Sequence, residues 1–313
     1  MPKISIIGAG NVGATAAYTI AKFNFVTDVV LLDIKPGLAE GKSFDMMQAS
    51  RMLNIDSRIT GVTGDYEATK DSDVVIITSG IPRKPGMTRE QLIGTNAGIV
   101  KDVVSNIMRY SPLCRILVVS NPMDTMAYLT TQISGLPPRK VIGMGGMLDS
   151  SRFNYYLSQA LKAPLSDIDS MVIGGHSDTT MVPLMSRAYY KGGKLGSALS
   201  VKEKNEVINK TKIGGATLTK LIGTSAWYAP GTAVAALAKA IIMNEKRLYT
   251  CSCYLNGQYG EKDICLGVPC IIGKHGAERV IEFGLTKTEM KKFKESASAI
   301  RKTNNILHEM KAI

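Results

Sequence analysis

Short apolar runs, mostly β-branched, alternate with longer stretches of helical periodicity along the first half of the chain. The runs at 4–7, 29–32, 73–79, 115–120 and 140–143 predict buried strands. Apolar spacing at 14–22, 38–53, 88–110 and 122–134 predicts the helices between them. Such a pattern is typical of a parallel sheet covered by helices on both faces. Ligands of these sheets bind at the carboxyl ends of the strands, so we expect the informative residues there.

A glycine-rich turn joins the first strand to the first helix. Gly8 lets the chain leave the strand sharply, Gly10 lets the backbone approach a pyrophosphate, and Gly13 lets the helix pack close to the strand. The free N–H groups at the start of the helix then face the phosphates. Asp33 ends the next strand, where an acid can accept hydrogen bonds from the adenosine ribose.

Glycine-rich turns are common, so the order of the surrounding elements matters. Strand, turn, helix, strand and acid occur here in sequence, which favours a dinucleotide site over an ordinary βα turn. We predict an α/β protein with a Rossmann-type, doubly wound parallel sheet in residues 1–144. Asp33 favours NAD over NADP because a carboxylate repels a 2′-phosphate, although the nearby Lys35 weakens that preference.

The pattern changes after Gly145-Gly146. Helical spacing predicts helices at 148–161, 202–221, 231–243 and 286–310. Two strands are predicted at 249–254 and 268–272, around a turn at Asn256-Gly257. We therefore predict a second, α+β domain over residues 145–313, which carries the substrate-binding and catalytic groups.

Composition narrows the possible partners and compartments. Lys and Arg total 38 against 26 Asp and Glu, which gives a net charge of +12. An excess of this size is compatible with nucleic acid, acidic membranes or anionic substrates. The basic residues are scattered, apart from a group at 287–294 that falls on a predicted helix as a solvated face. We therefore expect no nucleic-acid partner.

Cysteine usage and hydropathy point to a cytoplasmic chain. The five cysteines lack the spacing of a zinc site, so we expect no metal, and reduced thiols fit a reducing compartment. No apolar run reaches membrane-spanning length, and the first strand begins too early to leave room for a signal peptide. No membrane association is expected.

Polar segments follow two of the predicted strands. The segment 80–89 contains Arg83 and Arg89 together with two prolines, and it is either an ordinary surface loop or a mobile lid over an anionic ligand. Asn121 follows the next strand. With Pro122 at the first helical position, Asn121 is also explained as a simple helix cap.

The second domain offers three further candidates. Asp149 and Arg152 are three residues apart and share a helix face, where a local ion pair is the ordinary explanation. His176 follows a Gly-Gly pair between two strand-like runs, so the backbone positions it. The other histidines, His275 and His308, are interpreted as surface residues.

Taken in this order, the motifs closely resemble those of malate dehydrogenases of the lactate-dehydrogenase-like type. The resemblance covers essentially the whole chain, including the segments 257–260 and 267–269. It implies that His176 is the catalytic acid–base and that Asp149 orients its imidazole. It also implies that Arg152 grips the substrate α-carboxylate and that Arg89 polarises the reacting carbonyl.

The resemblance also assigns the cofactor and substrate contacts. NAD is the implied cofactor and a small dicarboxylate, malate or oxaloacetate, the implied substrate. Asn121 is expected to bind both. The implied NAD-binding residues are Gly8, Ala9, Gly10, Asn11, Val12, Gly13, Asp33, Asn96, Val119, Ser120 and Asn121.

Arg83 separates the two substrate classes of this family. Arginine at this position implies oxaloacetate, whose second carboxylate needs a cation, whereas glutamine implies pyruvate. Lactate or another 2-hydroxyacid is the alternative substrate, and a non-catalytic binder is the alternative from another class. A short-chain dehydrogenase is disfavoured, because its Tyr-x-x-x-Lys spacing occurs only early in the chain, at 18–22 and 66–70.

Two further features concern activity and assembly. Ser177 stands where the family usually has glycine; if the position requires a positive φ, serine introduces strain of about 1–3 kcal/mol and lowers activity. The family also forms dimers or tetramers, and the apolar helices at 39–53 and 218–243 are candidate interfaces.

Overall fold

The apolar runs of the first half form a parallel sheet. The computed structural model describes residues 2–82 and 86–313. Its first six strands pair in the order β3-β2-β1-β4-β5-β6, and every pairing among them is parallel. They are β1 (Lys3–Ile7), β2 (Asp28–Asp33), β3 (Arg58–Thr63), β4 (Val74–Ile77), β5 (Arg115–Val118) and β6 (Val141–Gly143). This is the strand order of a dinucleotide-binding Rossmann sheet, which confirms the predicted fold class.

Four helices cover the two faces of this sheet. They are α1 (Asn11–Phe23), α2 (Leu38–Leu53), α3 (Arg89–Tyr110) and α4 (Met123–Ile133). Ile4 and Ile6 of β1 point into one core with α1, whereas Val75 and Ile77 of β4 point into the other with α3 and α4. Successive strand residues face opposite sides, and both sides are buried, which explains the nearly continuous apolar runs in the sequence.

The start of α4 differs from the sequence-based expectation. Pro122 is the residue that caps the helix, no side chain bonds the free N–H groups there, and Met123 is the first helical residue. The Asn121–Pro122 peptide bond is cis. The alternative in which Asn121 caps this helix is therefore wrong. Its side chain is available to the cleft described below.

The second half of the chain adds eight strands and four α-helices. In chain order these are α5 (Gly146–Leu161), β7 (Ile168–Asp169), β8 (Val172–Gly174), β9 (Met181–Pro183), β10 (Tyr189–Tyr190), β11 (Gly193–Lys194), α6 (Val201–Ile222), α7 (Tyr228–Ile242), β12 (Arg247–Asn256), β13 (Lys262–Gly273), β14 (Gly276–Val280) and α8 (Lys287–Glu309). Strands β12 and β13 form a long antiparallel hairpin, as predicted from the Asn256-Gly257 turn. Strand β12 also pairs with β6, so one sheet runs through both halves.

Several strands were not predicted from the sequence. Strand β3 lies at the edge of the sheet, and its residues are largely polar and only partly buried, so it lacks the apolar run of its neighbours. Its Gly61 packs against the backbone of Ala39, where a side chain would lie 2.2 Å from the carbonyl oxygen. The short strands β7, β10 and β11 form a small separate sheet. Within residues 2–82 and 86–313, no helix is long and apolar enough to cross a bilayer.

Candidate active site

A cleft of about 460 Å³ lies at the carboxyl ends of the parallel strands, between them and α5, α6 and the segment that leads into α7. Its walls bring together most of the predicted site residues, although they are far apart in sequence. The predicted residues that line it are Gly10, Asn11, Val12, Gly13, Asn96, Val119, Ser120, Asn121, Arg152 and His176. The cleft therefore joins the predicted cofactor site to the predicted catalytic groups.

Glycine occupies each of the three turn positions for a different structural reason. Gly8 has φ +110°, a backbone conformation that side chains disfavour. A Cβ on Gly13 would lie 1.9 Å from the carbonyl oxygen of Gly8, so only glycine allows α1 to pack this closely. A Cβ on Gly10 would meet no protein atom within 4 Å and would occupy open space beside the helix N-terminus. The residues present thus fit a pyrophosphate group at this position.

Asp33 is tied to the glycine turn. Its Oδ2 accepts a hydrogen bond from the N–H of Ala9 at 2.6 Å, and its Oδ1 accepts one from the N–H of Lys35 at 2.9 Å. Lys42 donates to the carbonyl oxygen of Ala9 at 2.7 Å; burial lowers the pKa of this lysine despite the charge of Asp33. Asp33 ends β2 and is bonded to the glycine turn after β1, where the adenosine ribose is expected.

Asn96 braces the loops that follow two strands. Its Oδ1 accepts from the N–H of Ile81 at 2.8 Å, and its Nδ2 donates to the carbonyl oxygens of Ile81 and Asn121 at 3.1 and 2.7 Å. Ser120 similarly donates to the carbonyl oxygen of Ser79. Both residues therefore hold the cleft wall in shape, and their contact with NAD remains a prediction.

Asp149 connects the predicted acid–base to a predicted substrate-binding arginine. Its Oδ2 lies 2.7 Å from Nδ1 of His176, and its Oδ1 lies 3.1 Å from a terminal guanidinium nitrogen of Arg152. The carboxylate is 1 % exposed and belongs to the first turn of α5, where the helix dipole favours a negative charge. A single buried carboxylate thus orients both side chains.

The same carboxylate sets the protonation behaviour of His176. Burial alone would lower the pKa of the imidazole, but the charge and the hydrogen bond of Asp149 outweigh it, so the pKa is raised. Because Nδ1 is held by Asp149, Nε2 is the nitrogen that can exchange a proton with a ligand in the cleft. The imidazole is therefore equipped to act as a general acid or base near neutral pH.

Arg152 keeps donors for an anion. One terminal nitrogen bonds Asp149, whereas its Nε is buried without a hydrogen-bond partner among the described residues. Gly215 of α6 lies beside the guanidinium, and a Cβ there would stand 3.5 Å from it. Small residues of α6 thus leave room next to Arg152 for a planar carboxylate.

The two loop arginines are placed differently. Arg89 is the first residue of α3 and is exposed, and its guanidinium donates to Oγ1 of Thr303 on α8 at 2.7 Å. In this arrangement it does not line the cleft. Arg83 lies outside the described residues, so its predicted role stays a prediction.

Sequence reasoning missed one wall of the cleft. Helix α6 and the segment before α7 contribute Gly215, Ala216, Thr219, Thr224, Ser225, Ala226 and Trp227. A Gly-Gly pair at 214–215 in the middle of a helix is unusual, and it was the available signal that a neighbouring group comes close.

Ser177 and Asp178 line the cleft next to His176. The backbone of Ser177 is not in the positive-φ region, so the condition for strain at this position is not met. Its hydroxyl instead forms a 2.6 Å hydrogen bond with Oγ1 of Thr180. Serine therefore fits here without distorting the turn that carries the histidine.

Comparisons with known proteins agree with this architecture. Residues 2–143 match the family model described as lactate/malate dehydrogenase, NAD binding domain, and residues 146–310 match its alpha/beta C-terminal domain. The chain belongs to the lactate/malate dehydrogenase family. This confirms the resemblance seen in the sequence, and the match to an NAD-binding domain confirms the predicted cofactor.

Individual relatives point to one branch of this family. The chain is 56 % identical over 314 residues to a malate dehydrogenase of Parabacteroides distasonis, with 100 % of both chains covered. It is 38 % identical to the solved malate dehydrogenase of Salinibacter ruber, covering 99 % of this chain and 98 % of that one with a TM-score of 0.94. The lactate dehydrogenase of Cryptosporidium parvum, solved with lactic acid and NAD, is 36 % identical with a TM-score of 0.94 and 98 % of each chain covered.

Proposed function

We propose that the protein is an NAD-dependent malate dehydrogenase, which interconverts (S)-malate and oxaloacetate by reversible hydride transfer. The observation that carries the proposal is the joint placement of His176, Asp149 and Arg152 beside the glycine turn of a dinucleotide-binding sheet. Full-length relatives that are malate dehydrogenases support the same activity.

His176 handles the proton of the reaction. During malate oxidation its neutral imidazole takes the hydroxyl proton at Nε2, and during oxaloacetate reduction its imidazolium returns that proton to the carbonyl oxygen. Asp149 holds the ring through Nδ1 and compensates the positive charge that develops on it. NAD, when bound, accepts or supplies the hydride at its nicotinamide.

Arginines bind and polarise the dianion. Arg152 supplies a guanidinium for the carboxylate next to the reacting carbon. Its hydrogen bond to Asp149 fixes the orientation of this guanidinium. Arg89 supplies positive charge at the carbonyl oxygen once it leaves Thr303 and turns toward the cleft. Arg83 supplies the cation for the second carboxylate and thereby selects a four-carbon substrate.

A lactate dehydrogenase is the second candidate. A lactate dehydrogenase and a malate dehydrogenase match the structure almost equally well, so overall fold does not separate them. Arg83 favours oxaloacetate. The deciding experiment measures NADH oxidation with oxaloacetate, with pyruvate and without substrate, in parallel. A higher kcat/KM for pyruvate would overturn the proposal.

The proposal includes self-association into a dimer or tetramer. Large apolar side chains are exposed on α2, where Phe44 is 69 % and Met52 78 % exposed, and on α6, where Leu221 is 75 % exposed. Apolar patches of this kind mark interaction surfaces in many proteins. Sedimentation equilibrium tests this, and a monomer at micromolar concentration would contradict it. A cytoplasmic location remains a prediction.

A further inference from the structure

A second buried carboxylate, besides that of Asp149, accepts a hydrogen bond from His176. Asp124 lies in the first turn of α4 and is 3 % exposed. Its Oδ2 accepts the backbone N–H of His176 at 2.7 Å, and its Oδ1 accepts the hydroxyl of Ser252 at 2.7 Å. The carboxylate thus joins α4, the turn between β8 and β9, and β12.

The turn that carries His176 needs such a restraint. Gly174 has φ +83° and Gly175 follows it, so the backbone before the histidine has unusual conformational freedom in the unfolded chain. In the fold, Ser296 accepts the N–H of Gly175 at 2.8 Å and Asp124 accepts the next N–H. Two consecutive amides are therefore fixed by side chains from distant segments.

Burying a charge carries a large desolvation cost if its only effect is to accept one amide and one hydroxyl hydrogen bond. Burial raises the pKa of Asp124, and the nearby Asp149 carboxylate acts in the same direction. Hydrogen bonds from His176 and Ser252 oppose this rise, as does the positive charge of a protonated His176. An uncharged acceptor would form both bonds at a lower desolvation cost, whereas the negative charge of Asp124 raises the pKa of the nearby imidazole. The charge therefore points to a role beside His176.

We propose that Asp124 is a positioning residue for His176: its carboxylate fixes the backbone of the histidine and its negative charge favours the imidazolium form. This inference rests on the proposed function, since it assigns His176 the proton transfer. Among residues 2–82 and 86–313, the other charged groups that act on the imidazole are Asp149 and Arg152 from α5, and Asp178 lines the same cleft from the histidine's own turn.

Two substitutions separate geometry from charge. In Asp124→Asn the amide oxygen can accept from His176 and the amide nitrogen can donate to Ser252, so both bonds survive while the charge is lost. In Asp124→Ala both bonds are lost. The matched control is Glu289→Gln, since Glu289 is also buried but bonds Thr286 and Ser186, away from the cleft.

The first readout is the titration of His176, followed by NMR of the imidazole Cε1–H in each purified protein. The chain has three histidines, so His275 and His308 serve as internal references. We expect Asp124→Asn to lower the pKa of His176 and Glu289→Gln to leave it unchanged. A parental titration in Asp124→Asn would overturn the charge role, whether or not the protein reduces oxaloacetate.

The second readout is steady-state kinetics. Asp124→Ala is expected to lower kcat for oxaloacetate reduction by up to about a hundredfold, because a displaced imidazolium loses the geometry for proton donation, with a smaller change in KM. Asp124→Asn should retain most of kcat at low pH and lose it at a lower pH than the parent. Parental kcat in a folded Asp124→Ala variant would overturn the positioning role. If that variant does not fold, the pH profile of Asp124→Asn decides.

Discussion

Arg89 donates a hydrogen bond to the hydroxyl of Thr303, which lies on the last helix of the chain. In this arrangement the guanidinium does not line the cleft, although the proposed function assigns it to the reacting carbonyl. Under the proposed function, Arg89 would exchange Thr303 for substrate in each turnover. The last helix would then compete with the substrate for Arg89.

The first prediction concerns this competition. Thr303→Val keeps the shape of the buried side chain but removes the hydroxyl acceptor. That hydrogen bond contributes about 1 kcal/mol to the arrangement in which Arg89 lies against Thr303. We expect KM for oxaloacetate to fall, by up to about fivefold, in steady-state assays. Thr303→Ser retains the hydroxyl and should behave as the parent. An unchanged KM in the valine variant would mean that the Arg89–Thr303 hydrogen bond has no influence on oxaloacetate binding.

The second prediction concerns the pH dependence set by Asp149. Because Asp149 raises the pKa of His176, the imidazolium needed for oxaloacetate reduction persists to higher pH than in a free histidine. Asp149→Asn should lower kcat for reduction by about 10²–10⁴-fold. The remaining activity should decline at a lower pH than in the parent. Measurement of kcat/KM from pH 5 to 9 in both directions tests this; a parental profile would contradict it.

The same pKa shift affects stability. A histidine whose pKa is raised in the folded state stabilises the fold fully below the pKa of unfolded histidine. That contribution is lost as the pH rises through the raised pKa of His176. The free energy of unfolding of the parent and of His176→Gln should therefore differ more at low than at high pH.

A structural feature could be predicted from the sequence where the residues that cause it lie close together along the chain. The β1–α1–β2 unit was predictable because its glycines, apolar runs and Asp33 each act within about thirty residues. Strand β3 was missed because an edge strand needs no apolar run. Strands β12 and β13 are longer than the sequence predicted, because each pairs with the other beyond its apolar centre.

The site shows the same division. His176 and Asp149 were assigned through the family's motifs, and the structure places them 2.7 Å apart. Asp124 gave no signal, because an acid in the first turn of a helix is normally explained by the helix dipole. Only the fold reveals that its carboxylate is buried against the backbone of His176.

The third prediction concerns substrate choice. Arg83→Gln removes the cation expected at the second carboxylate, and an unpartnered charge in a closed site costs roughly 2–5 kcal/mol. We expect kcat/KM for oxaloacetate to fall by two orders of magnitude or more relative to pyruvate. Lys84→Gln removes an adjacent charge and should leave the ratio near its parental value. The same ratio in the Arg83 variant would show that another group selects the substrate.

The fourth prediction separates folding from cofactor binding within the glycine turn. Gly13→Ala forces a Cβ onto the carbonyl oxygen of Gly8, so thermal unfolding should reveal a loss of about 1–3 kcal/mol. Gly10→Ala meets no protein atom, so its melting temperature without cofactor should stay near that of the parent. Its Cβ should nevertheless weaken NADH binding at least about tenfold in fluorescence titrations, because it occupies the expected pyrophosphate space. Parental NADH affinity in Gly10→Ala would place the cofactor elsewhere.

The last prediction concerns Ser177. Since its backbone is not in the positive-φ region, replacement by glycine relieves no strain. Ser177→Gly should instead lose the hydrogen bond to Thr180 and add freedom to the unfolded chain, which together lower the free energy of unfolding by about 1–2 kcal/mol. We expect kcat to stay within about twofold of the parent, because Asp149 and Asp124 still hold His176. Thr180→Val removes the same hydrogen bond from the other side and serves as the matched control. A clear rise in kcat in Ser177→Gly alone would show that serine does impair the catalytic turn.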